Sequence, residues 1–204
     1  MPVKQFDDSV KHGPTNTGVE EVMLRRWSPR AFASTPVKSA DLEKIFTAAS
    51  WAANSFNEQP WRFVLGKKGS ATYDKIFKAL VPGNQAWAGS APVLFASFAK
   101  KTFTKNGSPN RVAPHDVGAA SANLAIQATA LGLSTHGMAG FDPKVLAEEF
   151  SVPEDFEPVA CWALGYLGDP ETLPDQLKAM EVAPRERKGV QEFVFDEWEK
   201  PASL

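Results

Sequence analysis

Arg25-Arg26-Trp27-Ser28-Pro29-Arg30-Ala31-Phe32 places three arginines within six residues. The chain has seven arginines, and two more, Arg185 and Arg187, stand together near its other end. The fifteen lysines are scattered instead. Lysine spread over a surface serves mainly solubility, whereas arginine offers a rigid fork of donors matched to phosphate and carboxylate. Two readings stand open from the clusters alone. Folding brings them together around an anion, or each is a solvated basic face.

The bulk of the chain says that any such site is local. With 204 residues, 43% hydrophobic and 23% charged, the sequence reads as an ordinary soluble globular protein able to bury a substantial core. A net charge of −2 gives no general attraction to nucleic acid or to an anionic membrane. The single cysteine, Cys161, excludes an internal disulfide and a cysteine metal cluster. It sits in the apolar run 158–164 and reads as a small buried strand residue. Residues 1–18 are polar with no apolar core, so no signal peptide is read there and cytoplasm is the expectation. The stretch 117–141 is almost free of charge, but its Ser, Thr, Asn and Gln make it too polar for a spanning helix.

Working outward from the arginines, Thr17 reads as the N-cap of a helix to about Trp27, with Glu20 completing a capping box. Ser39 reads as the cap of a second helix whose stripe is Leu42, Ile45, Phe46 and Ala49. Residues 54–60 form a polar loop before a strand at 61–65, in which Trp61 and Phe63 read as core. A helix follows over 71–80, ended by Pro82-Gly83, and then a strand over 91–98. The polar loop 100–114 precedes a long helix from Asp116 to Leu131, built of small residues and suited to a domain centre or a subunit interface. A short strand at 133–138, a helix at 142–150, an apolar strand at 159–167 and a weak strand signal at 192–195 complete the pass. Strands and helices without strict βαβ alternation argue for α+β. The expected organisation is an N-terminal arm, 1–17, and a single domain, 18–204.

Several chemistries are absent from the pattern. The three histidines, His12, His115 and His136, have no metal-ligand spacing, and each reads as surface or structural. There is no GxGxxG, no phosphate loop and no GxSxG elbow. No metal centre and no triad is therefore expected. An anion site without a glycine loop remains, which suggests that the hard chemistry belongs to a cofactor.

The ordered motifs resemble the FMN-dependent nitroreductase family. Residues 25–32 are similar to its opening motif, and 52–63, ending Asn57-Glu58-Gln59-Pro60-Trp61-Arg62-Phe63, to its second. Residues 83–87 followed by Ala91-Pro92-Val93 resemble the third, and 131–133 leading to 140–142 the fourth. Residues 165–168 and 185–188 resemble the last two. The likeness runs in order over about residues 18 to 198.

That resemblance implies an α+β fold with a central, mostly antiparallel sheet flanked by helices, in an intertwined homodimer with FMN at the interface. It implies that Arg26, Arg185 and Arg187 meet the FMN phosphate, that Ser28 adds a hydroxyl beside Trp27, and that Arg30 lies against the pyrimidine edge of the ring. Asn54, Ser55, Asn57 and Gln59 would come from the other subunit, and Asn84 would also reach the flavin. The backbone of Gly137, Met138, Ala139 and Gly140 would cover one ring face. Trp87 and Phe103 would line the substrate pocket. NADH or NADPH would reduce the flavin, and a nitroaromatic, a quinone or a similar small acceptor would reoxidise it by ping-pong exchange. Two alternatives stay open, a specialised enoate or dehalogenating reductase of the same fold and a flavin-binding protein without turnover. The sequence departs from the family pattern at Ala53-Asn54-Ser55, usually Pro-Ser-Ser, at Ala139, often acidic, and at Ala88, in some members an amide.

Overall fold

The computed structural model describes residues 6–204, and the first five residues of the expected arm lie outside the described residues. Four strands form one antiparallel sheet in the order β1-β2-β4-β3: β1 (Trp61–Lys67), β2 (Val93–Lys100), β3 (Ser134–Met138) and β4 (Phe156–Gly165). The two central strands explain the burial. All of β2 from Val93 to Ala99 is buried, because helices cover both faces of the sheet.

On one face, Leu94, Ala96, Phe98, Cys161 and Ala163 pack against α3 (Ala71–Ala79), α4 (Pro82–Ala88) and α6 (Pro143–Glu149). On the other, Val93, Phe95 and Leu164 pack against α2 (Ser39–Ser50) and α5 (Ala113–Ala130). The alternation of β2 between the two clusters is the period-two rule of a pleated strand. Gly66 is required where β1 passes α3, since a Cβ there would stand 2.3 Å from the backbone nitrogen of Tyr73.

Several local expectations are corrected. The first helix is only α1 (Glu21–Arg25), and Thr17 caps nothing. Its hydroxyl donates to Pro14 O at 3.1 Å, and Gly18 at φ 71° breaks the chain before the helix begins. Ser39 lies inside α2, whose N-cap is Lys38, and its hydroxyl accepts from Lys67 Nζ at 3.0 Å. Pro82 does not only end α3. Its fixed φ and missing N–H suit the first turn of α4, which it opens. α5 begins at Ala113, three residues early, with Pro114 in its first turn for the same reason. Helix α7 (Asp175–Val182) was not expected. The tail forms a small hairpin of β5 (Phe195–Glu197) and β6 (Lys200–Pro201), a little later than the alternation at 192–195 indicates. No helix among the described residues is long and apolar enough to cross a membrane.

Candidate functional site

After α1 the chain runs beside the end of β4. Phe32 bridges Leu167, Ala33 N–H donates to Tyr166 O at 2.9 Å, and Gly168 N–H donates to Ala31 O at 2.9 Å. The arginine motif is thereby tied to the sheet, and four side chains then fix its shape. Trp27 is buried, its indole Nε1 donating to Asp8 Oδ2 at 2.7 Å and its ring lying 5.1 Å from Lys11 Nζ. His136, on β3, holds Pro29 O through Nδ1 at 2.9 Å. Glu181, on α7, accepts Arg30 N–H at 2.7 Å and Ala31 N–H at 2.9 Å on one carboxylate oxygen.

The fourth is Arg185. Its guanidinium donates to Arg26 O and Leu24 O, each at 2.7 Å, and its Nε to Lys11 O. Folding has thus joined the two arginine clusters across 159 residues. The joining is made through backbone carbonyls, so Arg185 spends three of its five N–H groups on the chain itself. Arg185 therefore fastens the chain and keeps two N–H groups and its charge unspent, beside those of Arg26 and Arg187.

Among the described residues, no carboxylate lies within 4.0 Å of the guanidinium group of Arg26, Arg30, Arg185 or Arg187. Arg25, by contrast, faces Glu21 at 3.7 Å on the surface. Burial lowers the pKa of Arg26, and the neighbouring charge of Arg187 lowers it further. Burial lowers that of Arg185 as well, with Arg187 and then Arg26 adding to it and Asp8 opposing it in smaller measure. Cations held together without an anion, at the cost of mutual repulsion, mark a place where an anion belongs.

Arg26 and Ser28 line an open cleft of about 560 Å³, with Gly137 and Trp162 of the sheet and Gly118 and Ala122 of α5. Gly137 pairs with Trp162 across β3 and β4. A Cβ at Gly137 would stand 2.8 Å from the Trp162 ring, which lies flat on Phe95 at 5.7 Å. Only glycine leaves that wall of the cleft bare. Ala139 is exposed beside it, whereas the Met138 side chain is buried in the core and leaves only its backbone to a site.

The loop 54–60 faces a different surface and contributes nothing to that cleft. Phe56, Asn57 and Gln59 have φ of 52°, 55° and 51°, left-handed conformations unusual for residues with a Cβ. The strain is held by named contacts. Ser55 N–H donates to the buried Asp116 Oδ2 at 3.0 Å, and Gln59 N–H to Asn54 Oδ1 at 2.8 Å. Glu58 accepts Thr104 N–H at 2.8 Å. Asn57 and Gln59 are left exposed at the tip. Asn84 turns its amide onto Gly140 O at 2.9 Å and so braces the turn after β3.

The two substrate-pocket expectations fare differently from the rest. Trp87 is 4% exposed and packs against Phe32 and, at 4.5 Å, His136. It belongs to the core, a correction whose cause is the apolar bed that α4 forms on the sheet. Phe103 is half-buried against the exposed Phe56 in an edge-to-face pair at 5.8 Å, away from the arginine cleft. Sequence reasoning missed Glu181, Asp116 as a loop anchor, and Lys11. Nothing in an acidic residue on a helix announces burial, so no local signal was there to find.

With this geometry in view, the molecule is an α+β protein with an uncompensated cation cluster at the end of an antiparallel sheet. The profile of the nitroreductase family matches residues 23–82 and 67–166, and the chain belongs to that family. It is 35% identical over 153 residues to an uncharacterized 15.4 kDa protein of Mycolicibacterium smegmatis, covering 69% of this chain and 99% of that one. A Streptomyces coelicolor protein, provisionally named an NADH dehydrogenase/NAD(P)H nitroreductase, is 26% identical over 159 residues, covering 69% of this chain and 78% of its own. A crystal structure described as an oxidoreductase containing FMN superposes with a TM-score of 0.85 at 34% identity, over 94% of this chain and 97% of the other.

Proposed function

We propose that the chain is an FMN-dependent NAD(P)H oxidoreductase that reduces nitroaromatic, quinone or similar small acceptors, donor and acceptor using one pocket in turn. The observation that carries this reading is the pair Arg26 and Arg187, gathered without a carboxylate beside the cleft that Arg26, Ser28 and Gly137 line. Those residues fit FMN. Two guanidinium groups suit a phosphate dianion, a hydroxyl adds a donor, and a bare glycine wall admits a flat ring. Bound there, FMN would supply the hydride-transfer chemistry between nicotinamide and acceptor.

The remaining work is done by the chain. Arg26 and Arg187 neutralise the phosphate, while Arg185 keeps the Arg26 backbone in place. Arg30, gripped at its own N–H, presents a cation to the pyrimidine edge, where negative charge gathers on reduction. Backbone groups from Gly137 to Gly140 would hold the ring on one face. No side chain of the cleft is poised to give a proton. His136 is turned onto Pro29, its pKa lowered to about 4 chiefly by burial, and burial pushes the Cys161 thiol up to about 12. Protons then come from water or from the acceptor.

The site is completed by a second copy of the chain. Supporting this, Met23, Trp51 and Phe56 are 52%, 82% and 91% exposed, apolar side chains that a partner would cover. Asn57 and Gln59, exposed on a braced loop, would reach the partner's flavin from there. The test is FMN titration of the purified protein, with absorption recorded before and after NADPH in the absence of oxygen. Arg187→Ala should weaken FMN affinity by about one to two decades, the worth of one charge-assisted hydrogen bond. A chain that takes up no FMN overturns the reading, and an unchanged Arg187→Ala affinity removes Arg187 from the phosphate.

A further inference from the structure

Helix α7 is fixed to the body of the protein in an unusual way. The one buried residue among its eight is an acid, Glu181, with no exposure to solvent. A carboxylate taken out of water is costly unless its oxygens find donors or a cation. One oxygen of Glu181 receives two backbone N–H groups, those of Arg30 and Ala31, and occupies them as an anion occupies a backbone nest. The other oxygen is buried with no partner among the described residues. No side-chain nitrogen of a lysine, arginine or histidine stands within 4.0 Å of either among the described residues. The buried Lys11 feels the carboxylate, which favours its charge against the cost of burial, but its ammonium donates to Met180 O at 2.8 Å instead.

A neutral glutamine would keep an acceptor for these two N–H groups without the cost of a buried charge. Satisfying the two donors therefore does not by itself call for a carboxylate. Its place does: it grips the backbone of the residue whose side chain is the proposed cation at the flavin ring. We propose that Glu181 is a positioning residue of the flavin pocket, fixing the main chain at Arg30 and acting as a buried counter-charge that lowers the flavin's reduction potential. The inference rests on the FMN reading above. Arg30 favours the negative charge of the reduced ring, and a fixed carboxylate behind it in a poorly screened interior offsets part of that effect. The pair sets the potential between the values either charge alone would give.

The measurement is the midpoint potential of the FMN-loaded protein, equilibrated with a reference dye, for wild type, Glu181→Gln and Glu181→Met. FMN affinity and thermal unfolding are recorded on the same samples. Gln keeps an oxygen for the two N–H groups and removes the charge. Glu181→Gln should fold, bind FMN and titrate at a higher potential than wild type. Glu181→Met should show the same upward shift and bind FMN roughly tenfold more weakly, since Arg30 is no longer held. A wild-type chain that binds FMN while both variants titrate at its potential overturns this inference alone. Failure of both variants to fold overturns it too, because the carboxylate would then serve folding and not the flavin. A wild-type chain that binds no FMN overturns the flavin reading and this inference with it.

Discussion

The imidazole of His136 lies against Trp87 and donates through Nδ1 to Pro29 O, a carbonyl that can only accept, which fixes the neutral tautomer. Burial first, and then the charges of Arg30 and Arg26, lower its pKa from 6.5 to about 4, against the partial opposition of its hydrogen bonds to the loop. The unfolded chain takes up a proton near pH 6.5 that the folded chain refuses until about pH 4. Stability from this group is therefore complete above pH 6.5 and is lost as pH falls toward 4, on the order of 3 kcal/mol. Urea unfolding at pH 7 and pH 4.5 should show that loss in wild type, and His136→Gln should remove most of the difference. An unchanged pH slope in the variant would assign the loss to carboxylates elsewhere. At this scale the arginines were legible, because arginine is scarce here and its clustering is visible without a fold. Glu181 and Trp87 were not. An acid in a helix reads as solvated and an aromatic after a turn reads as available, and only tertiary contact reverses either.

Among the elements, β3 and β4 meet at the Gly137–Trp162 pair, where the sheet gives the cleft its flat wall. Gly137→Ala pushes a methyl into a ring that Phe95 holds from behind, so the ring has nowhere to retreat. Overpacking of this kind costs about 1–3 kcal/mol, and denaturant midpoints should fall accordingly, with weaker FMN uptake beyond the loss of fold. A variant as stable as wild type would mean that the wall yields. The four strands of the main sheet were legible because helices on both faces turn β2 and β4 into apolar runs that need no periodicity to be seen. Helices α4 and α7 were not. Pro82-Gly83 signals an end and a beginning alike, and α7 anchors through a carboxylate, so it lacks the apolar stripe by which helices are found.

At the scale of the whole molecule, the apolar residues left in water include Met23 after the arm, Trp51 at the end of α2 and Phe56 on the braced loop. Sedimentation should give a dimer, and Trp51→Glu should shift it toward monomer with weaker FMN binding, since half of the donors around the ring would be lost with the partner. A monomeric wild type that still binds FMN would sink the shared-site reading. The turn at residues 26–31 has a history as well as a geometry. Its supports come from residue 8 at one extreme and from residues 181 and 185 at the other, with β3 between them. The ribosome delivers the N-terminal end first, at roughly 5–20 residues per second. The motif is among the first segments to appear, while two of its supports, Glu181 and Arg185, are among the last. A nascent chain stalled before residue 181 carries its arginines without the groups that shape their turn.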